Sequence, residues 1–202
     1  MRLYNSPGSP YGRKVMVLLQ ETGQVDDIEI VPAMGSPLHP EKMPLDHNPL
    51  GKIPALVIEG GISLFDSRVI CRFLDDKAGG QLYPVAPTLY QTLTLEATSD
   101  GIVDATVLMI YEKRLRSEAL YWDQWVDAQW SKIYRALDAL ETRWIDHLNG
   151  QFDMGHVATG CALSFLDVRL PDRNWRSGRP KLDVWEKQFA DRKAMRSTLA
   201  PA

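Results

Sequence analysis

The stretch NPLGKIPALVIEGGISLFDSRVICRFLDD, residues 48–76, decides the predicted fold of the first part of the chain. Two apolar runs, residues 55–58 and 62–65, flank the dipeptide Gly60-Gly61, and this arrangement is typical of a β-hairpin. A helical pattern follows from Asp66-Ser67 and ends at a pair of glycines. The sequence therefore predicts two antiparallel strands that lead directly into a helix. The apolar face of that helix is expected to contain Val69, Ile70 and Phe73.

The residues before this stretch add a strand, a helix and another strand. Leu3-Tyr4 predicts a short first strand, and the run KVMVLLQET predicts a helix that Gly23 ends. Residues 28–31 predict a second strand that Pro32 ends. The predicted order is therefore βαβ, an irregular loop, and ββα.

Helical patterns replace strand patterns in the second part of the chain. Apolar residues there recur three and four positions apart, as on one face of a helix: Ile133, Leu137, Leu140, Trp144 and Leu148. Prolines punctuate the segment QLYPVAPT, residues 81–88, which is typical of a linker. We therefore predict two domains, residues 1–80 with strands and helices and residues 87–202 with helices alone, so the fold class is α/β plus all-α.

Charge and hydropathy exclude several classes of function. The net charge is −3 over 202 residues, so the chain lacks the basic field that nucleic acid or an anionic membrane surface would attract. No run approaches the roughly 20 apolar residues that span a bilayer, and the first residues lack the apolar run of a signal peptide. The sequence therefore predicts a cytoplasmic protein that binds neither membranes nor nucleic acids.

The cysteines and histidines do not form a recognisable site pattern. Cys71 and Cys161 have no CxxC or metal-ligand spacing, and we expect both to be small core residues rather than a disulfide. No histidine pair has the helical spacing of metal ligands, so the sequence predicts no metal site: His39, His47, His147 and His156.

Two positions in the opening stretch each allow a structural and a functional interpretation. Pro54 must begin its strand because it has no N–H for the ladder. An ordinary trans bond satisfies that requirement, whereas a cis bond would let the backbone groups of Ile53 pair with an extended peptide. Asp66-Ser67 is a good helix cap, and the same helix start could bind a carboxylate through its N–H groups and the Ser67 hydroxyl. These two interpretations of Asp66-Ser67 are compatible.

With these residues in order, the stretch resembles the glutathione-binding segment of the cytosolic glutathione S-transferases. The resemblance implies a thioredoxin-like N-terminal domain, an all-helical C-terminal domain, glutathione as co-substrate and a homodimer. It implies that Pro54 follows a cis bond and that the backbone of Ile53 pairs with the cysteinyl unit of glutathione. Asp66 and Ser67 would hold the γ-glutamyl end, and Lys52 would reach the glycyl carboxylate.

The resemblance also points to a hydroxyl beside the glutathione sulfur, for which Tyr4, Ser6 and Ser9 compete. The run SPYGRKV resembles the serine-type pattern and favours Ser9, with Ser6 as a turn residue. A hydroxyl at a helix N-terminus can donate to a thiolate, and the helix dipole adds to that effect. The same Ser9 is a good N-cap, and whether Tyr4 assists or replaces it stays open. The lack of a cysteine at this position counts against thiol-transferase chemistry.

The implied function is activation of the glutathione thiol for conjugation to small hydrophobic electrophiles, with reduction of organic peroxides as a further activity. Tyr11, Tyr111 and Arg114 are candidates to line the electrophile pocket. The alternative is a non-enzymatic glutathione-binding or protein-interaction module on the same fold, because fold alone does not settle function.

One departure from the family concerns the helix expected to begin near His156. The family usually has Ser or Thr followed by Asp three residues later as a buried capping box. The corresponding residues here are read as His156 and Thr159. We therefore expect that about 1 kcal/mol of capping is lost or replaced at this helix.

Overall fold

A four-stranded sheet forms the centre of the first unit of this computed structural model, which describes residues 1–199. The strands lie in the order β2-β1-β3-β4, with β1 parallel to β2 and antiparallel to β3, and β4 antiparallel to β3. The elements follow the predicted βαβ and ββα order: β1 Arg2–Asn5, α1 Pro10–Glu21, β2 Glu29–Pro32, β3 Ala55–Val57, β4 Ser63–Leu64 and α2 Ser67–Lys77. The predicted fold class is therefore confirmed.

The hairpin forms where the sequence predicts it. Gly60 and Gly61 both have positive φ, 82° and 80°, a conformation that side chains disfavour and glycine adopts freely. The predicted apolar face of α2 is only partly correct, because Val69 is 48% exposed while Ile70 and Cys71 are fully buried. The buried positions Ser67, Ile70, Cys71 and Leu74 follow the three-and-four spacing of one helical face, and Val69 lies outside it.

Helices alone make up the second unit, Val85–Arg192. They are α3 Thr88–Leu115, α4 Asp123–Ala139, α5 Ile145–Leu148, α6 Met154–Arg169 and α7 Pro180–Ala190, with a π-helical turn Leu140–Trp144 between α4 and α5. Ile133, Leu137 and Leu140 are fully buried, as the periodicity predicts. Across residues 1–199, no helix combines the length and the apolar character that a membrane crossing requires.

The last helix, α8 Lys193–Ser197, belongs with the first unit, Met1–Pro84, although the sequence placed residues 87–202 together. The buried guanidinium of Arg13 on α1 donates to the Met195 carbonyl at 3.1 Å and to the Thr198 hydroxyl at 3.4 Å. A five-residue helix carries too little pattern to show which unit it packs on. This contact between α1 and α8 decides it.

Candidate active site

The register of the sheet brings three predicted site segments to one end of it. Tyr4 at the end of β1 pairs with Ala55 at the start of β3, and Leu64 at the end of β4 pairs with Leu56. At this one end of the sheet, the chain therefore leaves β1 toward Ser9, enters β3 through Pro54 and leaves β4 toward Asp66. Residues far apart in sequence come to the same end of the sheet because β3 runs antiparallel to both β1 and β4.

Ser9 begins α1 as its N-cap. Its hydroxyl oxygen accepts a hydrogen bond from the Gly12 N–H at 3.1 Å, and its carbonyl accepts one from the Arg13 N–H at 2.8 Å. A hydroxyl has one donor and two acceptor positions, so capping leaves its proton available. The first turn of α1 holds no acidic residue to offset its positive end. Capping and donation to a thiolate are therefore compatible at this side chain.

The N-terminal turn of α1 is packed directly on the end of β1. A Cβ added to Gly12 would lie 1.7 Å from Oδ1 of the buried Asn5, so only glycine permits this approach. The packing fixes the position of Ser9 relative to the sheet.

Tyr4 lies on the other face of the sheet. Neighbours in a strand alternate between faces, and Leu3 and Asn5 point toward the side where Asn5 meets α1. The Tyr4 ring points away from that side and packs on His47, with ring centroids 4.8 Å apart. The Tyr4 ring and helix α1, which Ser9 begins, therefore lie on opposite faces of the sheet.

The Ile53–Pro54 bond is cis, as the resemblance implies. Within residues 1–199, neither the N–H nor the C=O of Ile53 has a hydrogen-bond partner. Ile53 is partly exposed, so both groups can pair with an extended peptide from outside. Lys52 is exposed, and its carbonyl accepts a hydrogen bond from the Asn48 side chain.

Asn48 is a site-forming residue that the sequence analysis missed. It is 2% exposed; its amide donates to the Lys52 carbonyl at 2.9 Å, and its Oδ1 accepts from the Leu50 N–H at 3.0 Å. Its carbonyl accepts from the Gly51 N–H, which closes a β-turn with proline in the second position. The run Asn-Pro-Leu-Gly, residues 48–51, indicates this turn in the sequence, because Asn, Pro and Gly favour turns. Asn48 thus shapes the loop that presents Ile53.

Asp66 and Ser67 form the start of α2. The Asp66 carboxylate caps the helix through the Arg68 N–H at 3.0 Å and pairs with the Arg68 guanidinium at 2.7 Å. The hydrogen bond from the Arg68 side chain outweighs burial and lowers the pKa of Asp66 below its usual range, which keeps it anionic. In the part of the chain that the structure describes, the Ser67 hydroxyl and the N–H groups of Ser67 and Val69 have no partner. The helix start is therefore able to bind a carboxylate while Asp66 attracts an ammonium.

The candidate pocket residues lie on different helices. Tyr11 is half-buried on α1, whereas Tyr111 is half-buried and Arg114 is exposed on the last turns of α3. Tyr111 and Arg114 are three residues apart and so share one side of α3.

The fold brings close together three side chains that the sequence analysis did not connect. His147, Asp153 and His156 offer ligand atoms within 4.8 Å of one another, and two imidazoles with a carboxylate are groups that could hold a metal ion such as Zn²⁺. The carboxylate of Asp153 is 2.7 Å from His147 Nε2 and 2.8 Å from His156 Nδ1, and the Thr92 hydroxyl donates to it at 2.6 Å. These separations are hydrogen-bond lengths, so the cluster is a polar network at the start of α6.

This network caps the start of α6, so the capping that we expected to be lost or replaced is replaced, by residues other than those expected. The helix begins at Met154, Asp153 is its N-cap, and the Asp153 carboxylate accepts from the N–H of His156, the third helical residue. The misassignment came from placing the helix start at His156. Hydrogen bonds from His156 and Thr92 overcome the effect of burial and lower the pKa of Asp153 to about 2.

Comparisons with known proteins agree with this geometry. Residues 8–77 match the family described as glutathione S-transferase, N-terminal domain, and residues 123–188 match glutathione S-transferase, C-terminal domain. A glutathione transferase family member from Pseudomonas fluorescens Pf-5 with bound glutathione is 43% identical, with a TM-score of 0.97, over 100% of this chain and 99% of that one. The same family member with bound S-(propanoic acid)-glutathione gives a TM-score of 0.93, with 100% of both chains covered.

Two curated relatives are more distant. The uncharacterized GST-like protein YibF of Escherichia coli (strain K12) is 29% identical over 100% of this chain and 99% of its own length. A stringent starvation protein A homolog of Coxiella burnetii is 36% identical over 43% of this chain and 40% of its own. From the two domain matches and the full-length structural similarity, the chain belongs to the glutathione S-transferase family.

Proposed function

We propose that this protein is a glutathione transferase in which Ser9 stabilises the glutathione thiolate. The observation that carries the proposal is a set of groups at one end of the sheet that have no partner among residues 1–199: the Ile53 backbone, the Ser67 hydroxyl and the N–H groups of Ser67 and Val69. Their chemistry matches a peptide backbone and a carboxylate. The glutathione bound to the 43% identical relative supports the same ligand.

Each end of glutathione has a partner in this proposal. The cysteinyl unit pairs with the backbone of Ile53, and the γ-glutamyl carboxylate lies at the start of α2 with Ser67. Asp66 holds the γ-glutamyl ammonium in competition with Arg68, and Lys52 pairs with the glycyl carboxylate. Binding in this way fixes the position of the sulfur before reaction.

Ser9 is the residue that stabilises the glutathione thiolate in this proposal. A free thiol has a pKa near 8.5, and lowering it by about two units requires about 2.7 kcal/mol of preferential thiolate stabilisation. A hydrogen bond to a charged acceptor contributes about 1.5–3 kcal/mol, and a helix N-terminus adds about 0.3–1 kcal/mol. The thiol proton leaves to solvent, and the sulfur lone pair forms a bond to the electrophilic atom while the bond to the leaving group breaks and the leaving group departs with that electron pair. The direction of the Tyr4 ring favours Ser9 over Tyr4 as the donor.

The substrates follow from the same reasoning. We include small hydrophobic electrophiles and organic peroxides among the substrates, and Tyr11 on α1 and Tyr111 and Arg114 on α3 stay candidate residues for electrophile binding. The S-(propanoic acid)-glutathione bound to the relative supports binding of an S-alkyl conjugate, and the Arg114 cation is suited to an acidic substituent. A detoxifying role, a homodimer and a cytoplasmic location are part of this proposal.

The test is the pKa of the bound glutathione thiol, read from thiolate ultraviolet absorbance against pH. We expect a value about two units below 8.5 in the wild type and a return toward 8.5 in Ser9→Gly. Glycine removes the hydroxyl and retains most of the helix-capping stability, so the variant separates donation from capping. Ser6→Ala is the matched control, and Tyr4→Phe tests the phenol. A pKa that responds to Tyr4→Phe and not to Ser9→Gly assigns the donor to Tyr4.

A second candidate is a binding or interaction module without transferase activity. The 88-residue similarity to the stringent starvation protein A homolog supports considering it, because the name of that relative states no transferase activity. It predicts that the wild type binds glutathione without any change in the thiol pKa, or does not bind glutathione at all. Either result would replace the enzyme proposal.

A further inference from the structure

His47 joins the loop before Pro54 to two strands of the sheet. The side chain is half-buried, and its Nδ1 lies 3.2 Å from the Ser63 hydroxyl on β4. Its ring packs on Tyr4 of β1 at a centroid distance of 4.8 Å. Tyr4 and Ser63 point to the same face of the sheet, because their partners Ala55 and Val57 are two residues apart on β3. One imidazole therefore fastens the loop to β1 and β4 together.

A short chain of hydrogen bonds connects His47 to Ile53. The N–H groups of His47 and Asn48 both donate to the Pro44 carbonyl, at 2.9 and 2.8 Å. Asn48 then bonds Gly51 through its carbonyl and Lys52 through its amide, and Lys52 directly precedes Ile53. The positions of the unpaired Ile53 groups therefore depend on where His47 is held.

We propose that His47, through Tyr4 and Ser63, is a positioning residue for glutathione: it holds the loop so that the Ile53 backbone can pair with the cysteinyl unit. The inference rests on the proposed function. His47 acts on binding and not on the sulfur, since its contacts lie on the face of the sheet opposite α1 and Ser9. Its removal consequently weakens affinity and leaves thiol activation intact.

The experiment measures the glutathione Kd by calorimetry and the thiol pKa at saturating glutathione in full-length variants. We expect His47→Ala to raise the Kd about tenfold, which corresponds to losing a hydrogen bond and an aromatic contact of ordinary strength. His47→Asn should recover part of the affinity, because its amide can still bond Ser63. Ser63→Ala should give a smaller increase in Kd, and the double variant with His47→Ala should be no weaker than His47→Ala alone. His39→Ala is the matched control, since the His39 side chain is exposed and has no partner among residues 1–199.

The outcomes separate this inference from the proposed function. An unchanged Kd in His47→Ala and Ser63→Ala overturns the positioning role, as does a thiol pKa that returns toward 8.5 in saturated His47→Ala. If His47→Ala unfolds, Ser63→Ala carries the same test with a milder change. If the wild type does not bind glutathione, the proposed function and this inference are both overturned. If the wild type binds glutathione and both variants bind it equally well, only this inference is overturned.

Discussion

Asp153 gives the sharpest stability prediction for this protein. Its side chain is 6% exposed, and its carboxylate accepts from Thr92, His147 and both the ring and the N–H of His156. Its pKa falls from the ordinary 3.8 to about 2. We expect Asp153→Asn, which can still cap α6 but carries no charge, to lower the free energy of unfolding measurably at neutral pH.

The magnitude follows from linkage between protonation and folding. A carboxyl with a folded pKa below its unfolded pKa contributes stability that is complete above the unfolded value and is lost as pH falls through the folded value. A pKa that falls from 3.8 to about 2 corresponds to roughly 2 kcal/mol of stability at pH 7 and about half of that at pH 3. The gap between wild type and Asp153→Asn should narrow accordingly as the pH falls from 4 toward 2.

Urea unfolding of both proteins, followed by circular dichroism at pH 7, 4 and 3, measures that gap directly. Thr94→Val is a suitable control because Thr94 is exposed on the same helix as Thr92, and the one partner of its hydroxyl among residues 1–199 is the Tyr90 carbonyl. A gap below about 1 kcal/mol at pH 7, or one that stays constant with pH, would refute the assignment of this network to a charged Asp153.

Two further predictions concern the glutathione end of the sheet. Asn48→Ala removes the hydrogen bonds to Lys52 and Leu50, and we expect calorimetry to show at least a tenfold rise in the glutathione Kd. An unchanged Kd would show that the turn holds its shape without the Asn48 amide. Gly12→Ala places a methyl group 1.7 Å from the Asn5 oxygen, and we expect urea unfolding to show a loss of more than about 2 kcal/mol; a loss below about 0.5 kcal/mol would mean that Asn5 moves aside freely.

Several features of the fold were predictable because their causes are local in sequence. The glycine pair fixes the hairpin turn, a proline must begin its strand, and apolar spacing of three and four marks the buried face of a helix. Val69 shows that this spacing does not always identify the buried face, because it was expected on that face and is 48% exposed. A short helix with apolar residues on neighbouring faces has more than one plausible buried side, and the tertiary packing of the first unit buries Ile70 and Cys71.

The sequence by itself determined the order of the elements, the all-helical second part and the positions of Ser9, Pro54 and Asp66-Ser67, since each depends on residues within one turn or strand. Only the tertiary structure decided which side chains meet across that order. The register of the sheet directs Tyr4 away from α1 and toward His47, and the packing of α6 brings His147 to Asp153. Such contacts depend on where whole elements pack, and the spacing of residues along one element carries no information about the side chains of another.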